Sequence, residues 1–384
     1  MTNKKTDENA PFLTFAKPCL SEETYRDVEA VLRSGWLTTG PKVAQFEKDL
    51  SAYFGGRQAR AISSATAGLQ LALLAIGLRE GDEVITTPLT FVATLNTIVQ
   101  AGGKPVLIDI DPNTRNMDMS LLEAAITPRT RAIVPVHFAG LPVDLDTLYA
   151  TAKKHNLRVI EDCAHAIGAE YNGQKIGGFG DIQVMSFHPN KNMTTGEGGA
   201  VITDDKDVLQ KIERLRFHGI DREAFNRFSK SGSQHYDVVT PGFKYNMMDI
   251  QAAIGLRQLP MLDGFIDSRT QLVKQYRERL ASLEKIFLPA DPAYAHKHAW
   301  HLLTVLVPER DTFIEKMKEK NIGIGMHYVC AHLFTFYRET YGFKQGDFPH
   351  AENVGARICS LPLFPTMTQS ELDRVVDAVQ EVLV

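Results

Sequence analysis

The chain has 384 residues, 44% hydrophobic and 23% charged, with a formal net charge of −4. That composition excludes a disordered or collagen-like chain. The slight acidic balance gives no basic footprint for nucleic acid, and the apolar runs fall well short of the ~20 residues that cross a bilayer, so neither nucleic acid nor membrane is expected as a partner.

Residues 1–10 are polar and lack the apolar core of a signal peptide, and residues 1–20 read as an N-terminal tail. Two short helices follow, about 21–34 and 41–53, with Ser21 as a cap and Pro41 in the first turn of the second. Beyond them, β-branched runs alternate with helical patterns. Strands are expected at Ala59–Ile62, Glu83–Thr86, Pro105–Ile108, Ala132–Val136, Arg158–Ile160, Ile182–Phe187 and Ala200–Thr203. Helices are expected near 67–78, 91–102, 119–126 and 144–155. Such alternation needs crossover connections and predicts an α/β fold with a large, mostly parallel sheet covered on both faces. Asp221 to Asp237 is polar and irregular and reads as a mobile loop. After Gly242 the pattern changes. A long helical stretch runs from about Met248 to Leu283, broken at Pro260, and is followed by a strand at His301–Val307 and mixed pieces to the end. The expected division is a large domain over 21–247, then a connecting helix and a smaller C-terminal α+β domain over 248–384. Cys19, Cys163, Cys330 and Cys359 stand far apart with no CxxC, which predicts reduced thiols in a cytoplasmic protein.

The sequence holds no dinucleotide fingerprint, Walker loop, HExxH or G-x-S-x-G. His296, His298 and His301, and Cys330 with His332, do not follow zinc-ligand spacing and read as surface or domain-interface side chains, so no metal is expected. Ligands of parallel sheets bind at the carboxyl ends of strands, and four stretches just after expected strands carry chemistry. Arg158-Val159-Ile160 runs into Glu161-Asp162-Cys163-Ala164-His165, where Asp162 can hold a cationic ring nitrogen, or serve as a helix cap or a salt-bridged surface acid. Ser186 to Gly199 sets Lys191 before a turn rich in Gly and Thr. A desolvated lysine there becomes a Schiff-base nucleophile; a solvated lysine in a hairpin would leave the Gly/Thr pattern unexplained. Ser63 to Leu69 opens a helix whose N–H groups, at Thr66 and Ala67, suit a phosphate or a simple N-cap. Phe91, in Thr90-Phe91-Val92-Ala93-Thr94, can stack on a planar ring or fill the core. Phosphate cradle, stacking face, ring-nitrogen acid and lysine are the parts a pyridoxal phosphate enzyme needs.

On these stretches, with Ser34 to Pro41, Asp82 to Thr86, Glu161 to Gly168 and Gly242 to Met247, the sequence resembles the fold-type I pyridoxal phosphate enzymes over most of its length. Among them it is similar to the DegT/DnrJ-type nucleotide-sugar aminotransferases. The resemblance implies pyridoxal 5'-phosphate as cofactor, bound covalently by Lys191, with Asp162 on the ring nitrogen and Phe91 on the ring face. It further implies that Thr66, Ala67 and Ser186 hold the phosphate, joined by Asn246 from the other subunit of a homodimer, and that His165 touches the cofactor. His298-Ala299-Trp300-His301 and Cys359 to Pro365 look most like the UDP-4-amino-4-deoxy-L-arabinose–oxoglutarate aminotransferases of lipid A modification. That likeness implies glutamate as donor, oxoglutarate as product, a UDP-linked 4-keto-pentose as acceptor, and His327 and Tyr328 as substrate contacts. The alternative acceptor is a UDP- or dTDP-4-keto-6-deoxyhexose. A non-catalytic regulatory relative is the remaining reading, and the presence of Lys191, Asp162 and Thr66 together speaks against it.

Overall fold

The computed structural model describes residues 11–221 and 236–383. Residues 1–10 and, but for its ends, the polar stretch Asp221 to Asp237 lie outside the described residues. Strands fall at β1 (Ala59–Ile62), β2 (Glu83–Thr86), β3 (Lys104–Leu107), β4 (Thr130–Ile133), β5 (Arg158–Cys163), β6 (Glu170–Tyr171), β7 (Gln174–Lys175), β8 (Ile182–Ser186), β9 (Gly199–Ile202), β10 (His296–Lys297), β11 (Leu303–Leu306) and β12 (Ile358–Leu361). Seven of them form one sheet in the order β1-β9-β8-β5-β4-β2-β3. The run from β3 through β8 is parallel, and β9 alone lies antiparallel between β8 and β1.

Strand residues alternate between two apolar layers, as a doubly covered sheet requires. Ile85, Val159, Met185 and Ala200 face one layer, which holds Phe46 and Leu50 of the helix Pro41–Tyr53. Val84, Ile160, Val184 and Val201 face the other, with Leu69 and Leu71 of the helix Ala65–Ala75. The twelve described helices begin with α1 (Glu22–Ser34), α2 (Pro41–Tyr53), α3 (Ala65–Ala75), α4 (Ala93–Gln100), α5 (Leu145–His155) and α6 (Lys206–Leu215). Ser21 Oγ accepts from the Thr24 N–H at the start of α1, and Gly35 ends it at φ 73°, a left-handed turn that suits glycine. Gly68 lets α3 lie close on the sheet, because a Cβ there would stand 2.4 Å from Ile62 Cδ1 and 2.7 Å from Val184 Cγ1.

The remaining helices are α7 (Asp249–Gln258), α8 (Leu262–Leu280), α9 (Arg310–Glu319), α10 (Thr335–Tyr341), α11 (Pro349–Arg357) and α12 (Gln369–Leu383). The break at Pro260 is a 3₁₀ turn, Leu259–Met261, between α7 and α8, where proline's missing N–H and ring interrupt the helix. A second core gathers Val273 and Tyr276 of α8, Phe313 of α9 and Val375 of α12 around Leu303 and Val305 of β11, which pairs antiparallel with β12. Leu13 joins this part through a bridge to Ile322. Among the described residues no helix is long and apolar enough to cross a membrane.

Three local expectations need correction. The helix expected over 119–126 is two 3₁₀ turns, Met119–Leu121 and Glu123–Ala125; Asp118 Oδ1 accepts from the Ser120 N–H and Oγ and favours the tight turn. The strand expected at Ala132–Val136 covers Thr130–Ile133, because Pro135 has no N–H to continue the ladder. The strand expected at His301–Val307 begins only at Leu303, leaving His301 in a loop.

Candidate active site

A cavity of about 280 Å³ opens beyond the carboxyl ends of β5 and β8, walled on one side by the start of α3. Its lining includes Thr66, Phe91, Asp162, His165, Ser186, Lys191, His327 and Tyr328, drawn together from five separate stretches of chain.

Period-two alternation sets Asp162 on the α3 side of β5, with Glu161 and Cys163 on the α2 side. The backbone at Asp162 is pinned by loop 135–137: its N–H donates to Pro135 O at 2.9 Å and its carbonyl accepts from the His137 N–H at 3.2 Å. Its carboxylate, 6% exposed, accepts from Thr94 Oγ1 at 2.8 Å and from the Ala164 N–H at 3.1 Å. Burial raises the Asp162 pKa; the two hydrogen bonds and the charge of Lys191 act against that rise. Asp162 is neither a salt-bridged surface acid nor a cap.

Lys191 follows β8 in a loop held shut at several points. Phe187 N–H donates to Gly198 O and Thr195 N–H to Phe187 O, both at 2.9 Å, and Asn192 Nδ2 reaches Ala299 O at 2.7 Å. Burial lowers the Lys191 pKa to about 8, with the Asp162 charge acting in the opposite sense. Its Nζ lies 3.4 Å from His301 Nε2.

At the first turn of α3, Ser64 Oγ accepts from the Ala67 N–H at 3.1 Å, while helix geometry leaves the N–H groups of Ala65 and Thr66 without acceptors inside the helix. Gly199 allows the close approach of β9 to this turn: a Cβ there would stand 2.8 Å from Ala65 N. Phe91 is 56% exposed, so it is a cavity-wall aromatic rather than a core one, and its ring centroid lies 5.9 Å from that of Tyr328. His165 Nδ1 accepts from the Ala139 N–H at 3.2 Å, so in the neutral ring Nε2 carries the proton and donates to Tyr328 Oη at 3.0 Å. Burial and the Lys191 charge hold the His165 pKa well below its ordinary value and bring that of His327 down to about 4. His327 Nδ1 is placed by Ser360 Oγ at 2.9 Å.

Two residues named from the sequence do not line this cavity. The N–H of Ala67 is engaged by its own cap. The side chain of Asn246 is held outside by Thr39 Oγ1 at 2.6 Å and Lys244 Nζ at 2.7 Å. Conversely, the lining includes His188, Asn190 and Glu197 of the lysine loop, to which the sequence reading gave no role. Thr94 was likewise given none, and His301, read from the sequence as a surface or domain-interface side chain, is buried. Thr94 is the last residue of the Thr90–Thr94 stretch quoted for Phe91, which is the signal that could have found it; the contact of His301 with Lys191 becomes visible only through the fold.

An aromatic wall, a buried carboxylate, a helix start with free N–H groups and an amine of lowered pKa form a donor set that fits pyridoxal phosphate. Among the described residues, one group of His, Cys, Asp or Glu side chains is close enough to hold a metal: His137, Glu161 and Cys163 on the opposite face of β5. Both His137 nitrogens are already engaged, by the Val143 N–H at 3.1 Å and by Glu161 at 2.8 Å.

The sequence profile described as the DegT/DnrJ/EryC1/StrS aminotransferase family matches residues 18–380. The spore coat polysaccharide biosynthesis protein SpsC of Bacillus subtilis is 43% identical over 97% of this chain and 97% of its own length. The solved structure of the putative sugar aminotransferase Spr1654 from Streptococcus pneumoniae, in its PMP form, superposes with a TM-score of 0.90 at 32% identity, covering 97% of this chain and 99% of that one. PseC of Helicobacter pylori, an aminotransferase of pseudoaminic acid biosynthesis, superposes with a TM-score of 0.89 at 29% identity, covering 97% of this chain and 99% of that one.

Proposed function

The chain belongs to the DegT/DnrJ/EryC1/StrS aminotransferase family, and from that premise we propose that it moves the amino group of glutamate to the 4-keto position of a nucleotide-linked sugar at the Asp162–Lys191 cavity. The enzyme is a pyridoxal phosphate-dependent sugar aminotransferase. The observation that carries the assignment of the site is the desolvated Lys191 amine held near a buried, ionisable Asp162 at the carboxyl ends of β5 and β8.

When bound, pyridoxal phosphate supplies the electron sink and the carrier for nitrogen. The start of α3 at Thr66, with Ser186 Oγ, holds its phosphate, and Phe91 covers the ring. Asp162 keeps a proton on the ring nitrogen: a buried carboxylate needs a cation, and its hydrogen bonds from Thr94 and Ala164 favour the ionised form. Lys191, with a pKa of about 8, is roughly a tenth free amine at pH 7, against about three in ten thousand for an ordinary lysine. It is therefore a ready nucleophile, and the base that takes and returns the proton of the donor's α-carbon. His165 and Tyr328 line the same wall in a fixed tautomeric order. One cavity serving two substrates in turn gives ping-pong kinetics.

For the acceptor the reading is a UDP-linked 4-keto-pentose. Both stretches that carry this likeness abut the cavity: His301 meets Lys191, and Ser360 places His327. The second reading is a UDP- or dTDP-4-keto-6-deoxyhexose. Offering both sugars with glutamate and following oxoglutarate distinguishes them. Release beyond one equivalent per loaded site is expected with the pentose. Such turnover with the hexose alone would shift the reading, and no turnover beyond one equivalent with either, in a protein loaded with cofactor, would favour the regulatory relative.

The working unit of the proposal is a homodimer in the cytoplasm, where the four unpaired cysteines stay reduced. Asn246 lies outside its own cavity, and Trp36, Leu37 and Met248 expose apolar surface at 47%, 42% and 43% on the same segments that hold it. Asn246 is assigned to the neighbour's phosphate. Mixing Lys191→Ala with Asn246→Ala chains then leaves one intact site per mixed dimer, and activity rises above either parent. No recovery, in a mixture shown to contain heterodimers and with Asn246→Ala itself impaired, would place the residue in its own subunit's chemistry.

A further inference from the structure

We propose that His301 is the positioning residue of Lys191, its imidazole Nε2 holding the lysine amine in place; the role rests on the aminotransferase reading of this site. His301 is 3% exposed and lies outside the cavity lining, yet its Nε2 stands 3.4 Å from Lys191 Nζ. The backbones on both sides of this contact are fixed. Asn192 Nδ2, next to the lysine, donates to Ala299 O at 2.7 Å. Arg269 Nη1, from α8, donates to the carbonyls of Trp300 at 3.2 Å, His301 at 3.3 Å and Leu363 at 2.9 Å. The lysine loop is thus tied to the histidine loop through Asn192 and Ala299, and Arg269 fixes the histidine loop to α8.

The buried histidines differ in how they use their two ring nitrogens. His137 engages both nitrogens, with Val143 and Glu161. His165 engages both, with Ala139 and Tyr328. His301 has Lys191 as the partner of Nε2, and its Nδ1 is buried without a partner among the described residues. Among the described residues, Asp162, His165, His301 and His327 feel the Lys191 charge, and His188, Glu197 and Tyr328 share its cavity. Burial and the lysine's own charge keep the imidazoles of His165, His301 and His327 in their neutral form. A neutral ring facing an ammonium presents its lone pair at Nε2, so its proton rests on Nδ1. Leaving that buried donor unpaired is costly; the one comparable ring among the described histidines, His332, also has a buried, unpartnered Nδ1 and commits its Nε2 to the charged Glu352, as His301 commits its own to Lys191.

The test uses the full chain without cofactor. His301→Leu removes the acceptor, His301→Asn is polar but too short to reach Nζ, and His301→Gln places an amide oxygen near the former Nε2. Folding is checked by thermal melting. Lys191 is then read in two ways: the pH midpoint of its labelling by trinitrobenzenesulfonate, with Lys191→Ala as background, and the rate of pyridoxal phosphate uptake by stopped-flow absorbance. The wild-type midpoint is expected near the lowered amine pKa of about 8. In His301→Leu, or in His301→Asn should the leucine variant not fold, uptake slows on the order of tenfold and the midpoint moves down, since the ammonium form has lost its acceptor. His301→Gln restores uptake to within about threefold of wild type. Unchanged midpoint and uptake in a folded leucine or asparagine variant, or a glutamine variant as slow as leucine, overturns the proposal. Failure of the wild type to attach pyridoxal phosphate at Lys191 overturns the aminotransferase reading instead, and the labelling midpoint still reports on His301.

Discussion

Glu161 and Asp162 are consecutive on β5 and both are buried, yet they face different surroundings. Glu161 points into the α2 layer and accepts from three donors: His137 Nε2 at 2.8 Å, Tyr149 Oη at 2.6 Å and Gln183 Nε2. Gln183 in turn accepts from Arg57 Nη1 at 2.6 Å, which closes the network. Asp162 points into the α3 layer, accepts from Thr94 and Ala164, and borders an open cavity that also holds Lys191. Burial is common to both carboxylates and does not identify a site. A saturated carboxylate fixes structure, whereas one with acceptor capacity turned to a cavity is available for chemistry.

Substitutions can break this contrast. The largest effect is expected for Lys191→Ala, which should lower turnover by about 10⁴-fold or more while pyridoxal phosphate still binds through its phosphate. Next is Asp162→Asn, with a native melting profile and kcat reduced about 10²- to 10³-fold, because a neutral amide cannot stabilise a protonated ring nitrogen. A near-normal rate would make Asp162 a structural acid like its neighbour. Glu161→Gln should show the reverse pattern. Its amide sets donors against Tyr149 and Gln183, which should cost about 1–3 kcal/mol of stability and leave kcat per folded molecule within about threefold. A collapse of kcat without loss of stability would erase the distinction between the two faces.

The smallest effect sharpens the account. Thr94→Val removes one of the donors that favour ionised Asp162 and should change kcat only several-fold. The sign is set by the ionisation: losing that hydrogen bond raises the carboxyl pKa, and the chemistry needs the carboxylate. The acid limb of the kcat/KM profile should therefore move to higher pH. A shift to lower pH, or none, would mean that the Thr94 contact does not tune Asp162.

The large sheet was legible in the sequence because its strands are continuous apolar runs set between helical periods, and Asp162 and Lys191 were legible because each stands just after such a run. The two-residue strands β6, β7 and β10 were not, since two residues carry no period. The partners of the site residues were also hidden. Thr94 meets Asp162 across 68 positions, His301 meets Lys191 across 110, and Tyr328 meets His165 across 163. Such pairings are fixed by topology and loop closure. His301 in particular sits where an expected strand is in fact a loop, and only there can its ring turn toward the lysine.

The most direct test of the account is where pyridoxal phosphate attaches. Mixing the intact chain with the cofactor, reducing with borohydride and mapping the modified peptide by mass spectrometry should give stoichiometric label on Lys191, with loss of the yellow colour. Label on another lysine, or none in a folded protein, would contradict the central claim that the open face of β5 and the amine opposite it form the catalytic centre.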